Sequence, residues 1–419
     1  MRVFFSTGEV SGDMVGARLA GRLREQDPSA TLFGIGGTRM AAAGVEVIVP
    51  ANHLGTVGVT EALSALPSLA GILAAIRRRI RATRPDVAIL IGNDVFNTLL
   101  SRWLRRRGIP TVSYFPPQVW IWRGVARFIA RSFDAILTSF PEEQAVYARA
   151  STGSKTAVVF VGHYLGETLA RRTPSEVVSC RRRLGLGGPG RVVGLLPGSR
   201  SHEIRQLAAR LFDAAVQLRE KDPKLRFLVP VAEPEYRERI EAAIRERGLA
   251  EHTVVTTDSR DAMRASDLVL LASGTASLEA ALLGVPMVIL YAVSSLTVGV
   301  VRFVIRLGLI ESETIGLPNL LLGREVVPEL RQSQATAAAL AAEAWSLLAD
   351  DTRREAMSRA LAEVGARIHA VGTVDRVVAT AFALACGSAG VGGDADFFAP
   401  PLQMANSGES GARRRSSAS

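Results

Sequence analysis

Two short stretches in the second half of the chain combine residue types that bind phosphate and sugar groups. In the first, an apolar run ends at Leu196 and is followed by Pro197-Gly198-Ser199-Arg200. Small residues at the end of a strand let backbone N–H groups approach a phosphate, and a guanidinium offers parallel donors to its oxygens. Ser199 and Arg200 are therefore candidate ligands for the phosphates of a nucleotide.

The second stretch, Ser273-Gly274-Thr275-Ala276-Ser277-Leu278-Glu279, also follows an apolar run and opens a segment with helical spacing. Ser273 and Thr275 lie where the positive end of that helix would face a phosphate. Glu279 comes four residues after Thr275, so it lies one turn along the same face, where a carboxylate can accept both hydroxyls of a ribose. Each stretch alone is more often an ordinary turn, but the pair predicts a site for a nucleotide sugar.

The order of apolar runs predicts the elements that must hold these turns. Strands are expected at residues 3–6, 32–35, 87–91, 111–114, 135–138, 158–161, 191–196, 226–230, 253–256, 267–271 and 286–290. Segments with helical periodicity lie between them, and this alternation is typical of parallel sheets with helices on both faces. The glycines do not form the spaced dinucleotide fingerprint, which argues against NAD as a cofactor.

A length of 419 residues and a hydrophobic content of 48% allow two domains with full cores. Thr173-Pro174 and residues 184–190 have the composition of a linker, and the chain beyond 386 is rich in Gly, Ala, Ser and Arg. We therefore predict an α/β fold with one Rossmann-like domain in residues 1–165 and a second in residues 166–345. Residues 346–386 are predicted to form helices that pack back on the first domain, and residues 387–419 a disordered tail.

The formal charge of +10 favours anionic partners such as nucleotide phosphates or an anionic membrane surface. The arginine runs at 77–79, 105–107 and 181–183 carry no interleaved aromatic residues, so they indicate exposed helix faces or lipid contacts rather than nucleic-acid binding. Two cysteines and five histidines without ligand spacing predict no metal site. The apolar run at the N-terminus is too short for a signal peptide, and no run is long enough to predict a membrane-spanning helix.

An apolar segment at residues 56–73 is followed directly by a cluster of arginines at 77–81. The segment has two interpretations, a helix packed in the core or an interfacial segment that enters the lipid while the arginines contact headgroups. The residues predicted to dock on a membrane in the second interpretation are Val57, Val59, Leu63, Leu66 and Leu69.

Polar residues also follow the predicted strand at 87–91, in the segment Gly92-Asn93-Asp94-Val95-Phe96-Asn97. Groups just beyond the carboxyl end of a parallel strand line the ligand crevice of such sheets, so Asp94 is expected near a cleft. His163, after the strand at 158–161, is more often a structural residue than a catalyst when it stands alone.

Several separated stretches together resemble the lipid-A-disaccharide synthases, glycosyltransferases of the GT-B architecture, over roughly residues 1–385. They are Gly8-Glu9-Val10-Ser11-Gly12-Asp13, Gly34-Ile35-Gly36-Gly37 with Met40, Val119-Trp120-Ile121-Trp122-Arg123, Gly162-His163, residues 195–200, residues 273–279 and residues 317–324. The resemblance implies two Rossmann-like domains facing a cleft and no cofactor or metal. It also implies transfer of a diacylated glucosamine from UDP to a diacylated glucosamine 1-phosphate, at the cytoplasmic face of the inner membrane.

The resemblance assigns roles on both sides of the cleft. It implies that Glu9 and Ser11 face the acceptor, and that a base removes the proton of the acceptor hydroxyl during an inverting transfer. Donor-side residues would hold the diphosphate and ribose of UDP, with one contact from an opposite loop. These donor-side residues are Ser199, Arg200, Ser273, Thr275, Glu279 and Asn319.

The loop after residue 91 departs from the family pattern Gly-Ile-Asp-x-Pro-Asp-Phe-Asn. Aligned on Phe96-Asn97, this chain has Gly92 and Val95 at the two Asp positions, which leaves Asp94 as the nearby carboxylate. Asp94 is therefore the predicted base, and Glu9 is the next candidate. Because this loop is changed, three alternative functions stay open: transfer to another acceptor, UDP-sugar epimerisation, and non-catalytic binding of a nucleotide sugar or lipid. The sequence is also compatible with a homodimer.

Overall fold

The computed structural model describes residues 1–51, 66–92, 94–118, 123–198, 201–231, 234–292 and 316–387. At residues 66–70, 94, 123, 201 and 202 the description covers the backbone alone. These ranges form two parallel sheets with helices against their faces. The predicted α/β class is therefore confirmed.

The first sheet is built from residues 2–160, and its described strands are all parallel. They are β1 (Arg2–Thr7), β2 (Thr31–Gly36), β3 (Glu46–Pro50), β4 (Val87–Ile91), β5 (Thr111–Tyr114), β6 (Ala135–Thr138) and β7 (Ala157–Phe160). Their order across the sheet is β3-β2-β1-β4-β5-β6-β7. Helices cover both faces, so successive residues of β1 such as Phe4 and Phe5 are both fully buried on opposite sides.

The described helices of this half follow the strands along the chain. They are α1 (Val10–Gln26), α2 (Thr38–Ala42), α3 (Leu66–Thr83), α4 (Asp94–Arg105), α5 (Ala126–Ala130), α6 (Pro141–Ala150) and α7 (Tyr164–Thr168). Leu19 and Leu23 of α1 pack on one face of the sheet, and Leu100 and Leu104 of α4 pack on the other.

The second sheet is built from residues 192–331 and is also parallel. After α8 (Pro174–Arg183), its described elements are β8 (Val192–Leu196), α9 (Ser201–Lys221), β9 (Arg226–Pro230), α10 (Arg237–Glu246), β10 (Thr253–Thr256), α11 (Ser259–Ala265), β11 (Leu268–Ala272), α12 (Thr275–Leu283), β12 (Met287–Tyr291), α13 (Leu317–Leu322) and β13 (Glu329–Arg331). The strand order is β10-β9-β8-β11-β12-β13, so β8 and β11 are neighbours at the centre.

Three helices close the described chain: α14 (Ala337–Ala349), α15 (Asp351–Ile368) and α16 (Thr373–Ala385). The first two pack on the second half, against α9 and α12, whereas α16 packs against α1 and β4 of the first sheet. The crossing point is closely packed, since the backbone N–H of His163 donates to the carbonyl of Ile368 at 3.1 Å. Gly162, with φ of +83°, fits there because a Cβ would lie 2.5 Å from the Cβ of Ala370.

The stretch Asp351–Ala385 includes 18 consecutive residues with a mean hydropathy of 1.3. By length and composition alone, such a stretch could cross a membrane. In the structure this stretch is divided between α15 and α16 by a turn at residues 369–372. Leu361 and Val364 of α15 and Val377 and Val378 of α16 are fully buried. These four apolar side chains pack within the protein.

Each strand predicted from the sequence forms, with ends that differ from the prediction by at most one residue. Two further strands, β3 and β13, were not predicted. Both lie at an edge of their sheet, where short and partly exposed segments give a weak hydrophobic pattern.

Candidate active site

The two predicted phosphate turns lie side by side at one edge of the second sheet. Strands β8 and β11 are paired in register, with Leu195 opposite Leu270 and Leu196 opposite Leu271. The carboxyl ends of both strands therefore open at the same edge, where ligands bind in sheets of this kind. The tertiary structure thus brings together two turns that lie far apart in the sequence.

The turn after β11 has the geometry of an anion site. Ser273 continues the ladder by donating its N–H to the carbonyl of Leu290 at 3.0 Å, and Gly274 then adopts φ of +153°, which favours glycine. Helix α12 begins at Thr275, and its first helical hydrogen bond runs from the N–H of Ser277 to the carbonyl of Gly274. The N–H groups of the first helical positions consequently point out of the helix, toward the side where a phosphate can bind.

Glu279 lies one turn further along α12 and is 8% exposed. Its Oε1 atom accepts a hydrogen bond from Nε of Arg260 at 3.0 Å and lies 2.9 Å from Nη2 of the same guanidinium. Burial raises the pKa of Glu279, and the positive charge of Arg260 opposes this effect. The ion pair thereby fixes the carboxylate in one orientation at the sheet edge.

Arg260 was not recognised in the sequence as part of this site. It lies in the first turn of α11, where the carboxylate of Asp258 caps the helix by accepting the N–H groups of Arg260 and Asp261, both at 2.9 Å. A capping Asp before Ser259-Arg260 marks the helix start. No local signal, however, connects that helix with Glu279 in α12.

The turn after β8 is described as far as Gly198, and Ser199 and Arg200 lie outside the described residues. Gly198 has φ of +105°, and a Cβ on it would lie 2.2 Å from Oε2 of Glu203 in the first turn of α9. Only glycine fits this turn, because any side chain would meet both the strained conformation and the Glu203 carboxylate. The role of Ser199 and Arg200 in holding a diphosphate stays a prediction.

Asn319 lies in α13 and is 3% exposed, because its amide bonds within its own loop. Its Oδ1 accepts the N–H groups of Val326 and Val327 at 2.7 and 3.0 Å. Its Nδ2 donates to the carbonyl of Val327 and to Oε1 of Glu329, both at 2.8 Å. The side chain holds the path from α13 to β13, and its predicted contact with the donor stays a prediction.

The predicted acceptor-side residues gather at the carboxyl edge of the first sheet. Glu9 occupies the N-cap position of α1, two residues after β1, and the hydroxyl of Ser11 donates to its Oε2 at 3.4 Å. Strands β1 and β4 are paired with Thr7 opposite Ile91, so the segment after β4 opens beside Glu9. Helix α4 begins at Asp94, whose side chain is outside the description. Because Asp94 belongs to a helix, the alternation of side chains between the two faces of a strand says nothing about its orientation. Its role as base stays a prediction.

Two buried polar residues that were not singled out as candidates hold this edge together. The carboxylate of Asp13 accepts the N–H groups of Gly37, Arg39 and Met40 at 2.7 to 3.0 Å and so holds the start of α2. Asn97 accepts the hydroxyl proton of Ser6 at 2.6 Å and donates to the carbonyl of Gly92 at 2.6 Å. Asn97 thereby ties the end of β4 to β1.

His163 is buried between aromatic rings at the boundary of the two halves. Its ring lies 4.8 Å from that of Phe115 and 5.1 Å from that of Tyr164, and its Nδ1 accepts the N–H of Leu165 at 3.2 Å. Burial lowers the pKa of His163 to about 3, so the ring is neutral at physiological pH. This arrangement is that of a structural residue, as the sequence analysis favoured.

Most of the predicted membrane segment lies outside the described residues, including Val57, Val59 and Leu63, whereas Leu66 and Leu69 lie in α3 at positions whose side chains are not described. Further along α3, Ile76 and Ile80 are buried against the first sheet, and Arg77, Arg78 and Arg81 on the opposite side are exposed. The helix thus presents a basic outer face. Membrane docking stays a prediction.

Comparisons with known proteins connect both halves to one family. A family model described as lipid-A-disaccharide synthetase matches residues 3–371. Lipid-A-disaccharide synthase from Chromohalobacter salexigens is 39% identical over 370 residues, which cover 88% of this chain and 93% of that protein. The synthase from Syntrophotalea carbinolica is 37% identical over 378 residues, which cover 90% and 93%.

Solved structures support the two-domain GT-B architecture. A putative UDP-N-acetylglucosamine 2-epimerase from Listeria monocytogenes superimposes with a TM-score of 0.61 at 14% identity, covering 91% of this chain and 96% of that one. The UDP-GlcNAc 2-epimerase from Neisseria meningitidis, solved with UDP-GlcNAc, gives 0.60 at 12% identity, covering 91% and 99%. At such identities the similarity shows the fold alone.

Proposed function

Because the chain belongs to the lipid-A-disaccharide synthase family, we propose that it transfers a diacylated glucosamine from UDP to a diacylated glucosamine 1-phosphate. The products are the acylated disaccharide 1-phosphate and UDP. The observation that carries this proposal is the family match over residues 3–371, which spans the strands of both sheets. A glycosyltransferase of this kind needs a donor site and an acceptor base on opposite sides of one cleft.

On the donor side, the paired turns after β8 and β11 would hold the diphosphate of UDP. The N–H groups at the start of α12 and the guanidinium of Arg200 would stabilise the negative charge that develops as UDP departs. Glu279, fixed by Arg260, would accept hydroxyl groups of the ribose. These interactions need no metal ion to balance the phosphate charge, since the helix end and the arginine supply positive charge.

On the acceptor side, we assign Asp94 as the base and Glu9 as the alternative. An inverting transfer removes the proton of the acceptor hydroxyl while that oxygen attacks the sugar. Asp94 is the first residue of α4 and lies just beyond the carboxyl end of β4, at the edge where ligands bind in parallel sheets. Glu9 occupies the N-cap position of α1, and its contact with the hydroxyl of Ser11 links both predicted residues.

The experiment that tests this function is product analysis with UDP-diacylglucosamine and diacylglucosamine 1-phosphate. Formation of the disaccharide and an equal amount of UDP would support the transferase. An isomerised UDP-sugar without disaccharide would instead support a UDP-sugar epimerase. Binding of UDP-sugar without any product would support a non-catalytic protein or a relative with another acceptor, which a panel of lipid and sugar acceptors can separate.

We further propose that the protein associates peripherally with the cytoplasmic face of the inner membrane. The predicted docking residues are Val57, Val59, Leu63, Leu66 and Leu69, and the exposed arginines of α3 supply a basic surface for anionic headgroups. Replacing Val57, Val59 and Leu63 together by Ser should reduce flotation on anionic liposomes and leave the melting temperature unchanged. A lower melting temperature with unchanged flotation would mean that these residues belong to the core.

A further inference from the structure

Tyr164, the first residue of α7, carries a buried hydroxyl without a visible partner. The residue is 1% exposed, and its hydroxyl has no hydrogen bond to any described residue. Native proteins satisfy nearly all buried polar groups, because an unpaired one costs folding free energy. The orphaned hydroxyl therefore points to a partner that is not part of the polypeptide.

The surroundings of Tyr164 come from both halves of the protein. Helix α7 packs on α12, which carries Glu279, and the guanidinium of Arg18 from α1 lies 5.7 Å from the centre of the Tyr164 ring. Burial is the main cause that raises the pKa of Tyr164 to about 12; the negative charge of Glu279 acts in the same direction and Arg260 opposes it. The phenol is therefore protonated at neutral pH and is available as a hydrogen-bond donor near the Glu279 carboxylate.

Glu279 keeps one carboxylate oxygen that makes no polar contact with the protein among the described residues. Both contacts with Arg260 are made by Oε1, and Oε2 makes no hydrogen bond or ion pair with any other described residue. Tyr164 and Glu279 do not hydrogen-bond to each other, although the charge of one influences the pKa of the other. A buried donor from the first half and an acceptor from the second half thus lie on two helices, α7 and α12, that pack against each other.

We propose that a ribose hydroxyl of the bound uridine nucleotide bridges Tyr164 and Glu279. A hydroxyl group both accepts and donates, so it can accept the phenol proton of Tyr164 and donate its own to Oε2 of Glu279. A phosphate oxygen could accept from Tyr164 but would repel the carboxylate. The bridge would make Tyr164 a specificity residue for the nucleotide and would link the two domains when UDP binds. This inference rests on the proposed function, because it requires a uridine nucleotide at α12.

The test compares UDP with its 2′-deoxy and 3′-deoxy analogues by calorimetry, on the wild type and on Tyr164→Phe. Removing one hydrogen bond should weaken UDP binding by about three- to tenfold. For the analogue that lacks the bridging hydroxyl, the wild type and Tyr164→Phe should bind with equal affinity, since the interaction is already lost. For the other analogue, the difference between the two proteins should persist.

Tyr147→Phe is a matched control, because the hydroxyl of Tyr147 is equally buried but donates to the carbonyl of Pro117 at 2.5 Å. Tyr147→Phe should lower the melting temperature and leave UDP affinity unchanged. Tyr164→Phe should not lower the melting temperature of the ligand-free protein, since its hydroxyl has no protein partner to lose.

Three results would overturn the inference while the proposed function stands: wild-type affinity of Tyr164→Phe for UDP, an equal loss for UDP and both deoxy analogues, or a lower melting temperature with unchanged affinity. The last result would mean that a buried water satisfies the hydroxyl. Failure of the folded wild type to bind UDP would overturn the proposed function and this inference together.

Discussion

The carboxyl edges of the two sheets use their buried acidic residues in opposite ways. At the first sheet, Asp13 accepts three backbone N–H groups at the start of α2 and thereby holds that helix. At the second sheet, Glu279 is oriented by one arginine and keeps one carboxylate oxygen without a partner among the described residues. The first arrangement stabilises a loop, whereas the second leaves an acceptor for a ligand.

The comparison teaches that burial of a carboxylate does not by itself indicate a binding site. Both Asp13 and Glu279 are more than nine-tenths buried. What distinguishes them is whether the hydrogen-bonding capacity is used inside the protein. At the first sheet, Asp13 holds the start of α2 and Asn97 ties the end of β4 to β1, so both side chains are used within the protein.

The largest effect is expected for Asp94→Asn. If Asp94 is the base on the rim of the first sheet, its loss should reduce the transfer rate by a factor on the order of 10² to 10⁴. UDP affinity should stay nearly unchanged, because the donor turns belong to the second sheet. Steady-state rates together with UDP calorimetry check both statements. A full rate in Asp94→Asn would move the role of base to Glu9, with Glu9→Gln as the next variant.

Asp13→Ala should separate stability from binding. The change leaves three backbone N–H groups of the α2 turn without their acceptor, and a loss of about 3 kcal/mol in the free energy of unfolding is expected. Denaturant unfolding measures this loss, and calorimetry at a temperature where the variant is folded should show UDP affinity close to that of the wild type. If UDP affinity falls as much as stability, the two edges are coupled and the contrast between them fails.

Arg200→Ala, at the second sheet, should lower UDP affinity and not stability, which is the reverse of the effect expected for Asp13→Ala. Loss of a charge-assisted hydrogen bond to phosphate, worth about 1.5–3 kcal/mol, should weaken UDP binding at least tenfold while the free energy of unfolding changes little. Arg200→Lys should recover part of the affinity, because it restores the charge without the planar pair of donors. Unchanged affinity of the alanine variant for UDP would remove Arg200 from the donor site.

The smallest effect is a pH dependence of nucleotide binding that depends on Glu279. Because burial raises the pKa of Glu279, its carboxylate should become protonated at a higher pH than an ordinary glutamate, and a protonated carboxyl accepts ribose hydroxyls less well. The ratio of UDP affinities of the wild type and Glu279→Gln should therefore be about tenfold near neutral pH and decrease as the pH falls through the raised pKa. The ratio cancels the titration of UDP itself, and a ratio that does not change with pH would contradict the assignment.

Much of the fold could be predicted because its signals are local. Strands such as β4 and β11 are continuous apolar runs, and Gly198 and Gly274 mark the turns that follow two of the central strands. The strands β3 and β13 were not predicted, because both lie at an edge of their sheet. An edge strand is less buried than a central one, so its sequence does not form a long apolar run. Family motifs added the GT-B arrangement, which periodicity alone does not distinguish from other pairs of parallel sheets.

The sequence by itself determined the two parallel sheets, the glycine turns at the carboxyl ends of β8 and β11, and Glu279 one turn into α12. These features depend on neighbouring residues and on the helix and strand periods. Only the tertiary structure decided which polar side chains are used within the protein. Asn319 bonds within its own loop, and Glu279 acquires Arg260 from another helix. The hydroxyl of Tyr164 is left unpaired among the described residues, on a helix that packs against the helix of Glu279. Hydrogen-bond partners are set by distances between elements, and no local pattern of residues encodes those distances.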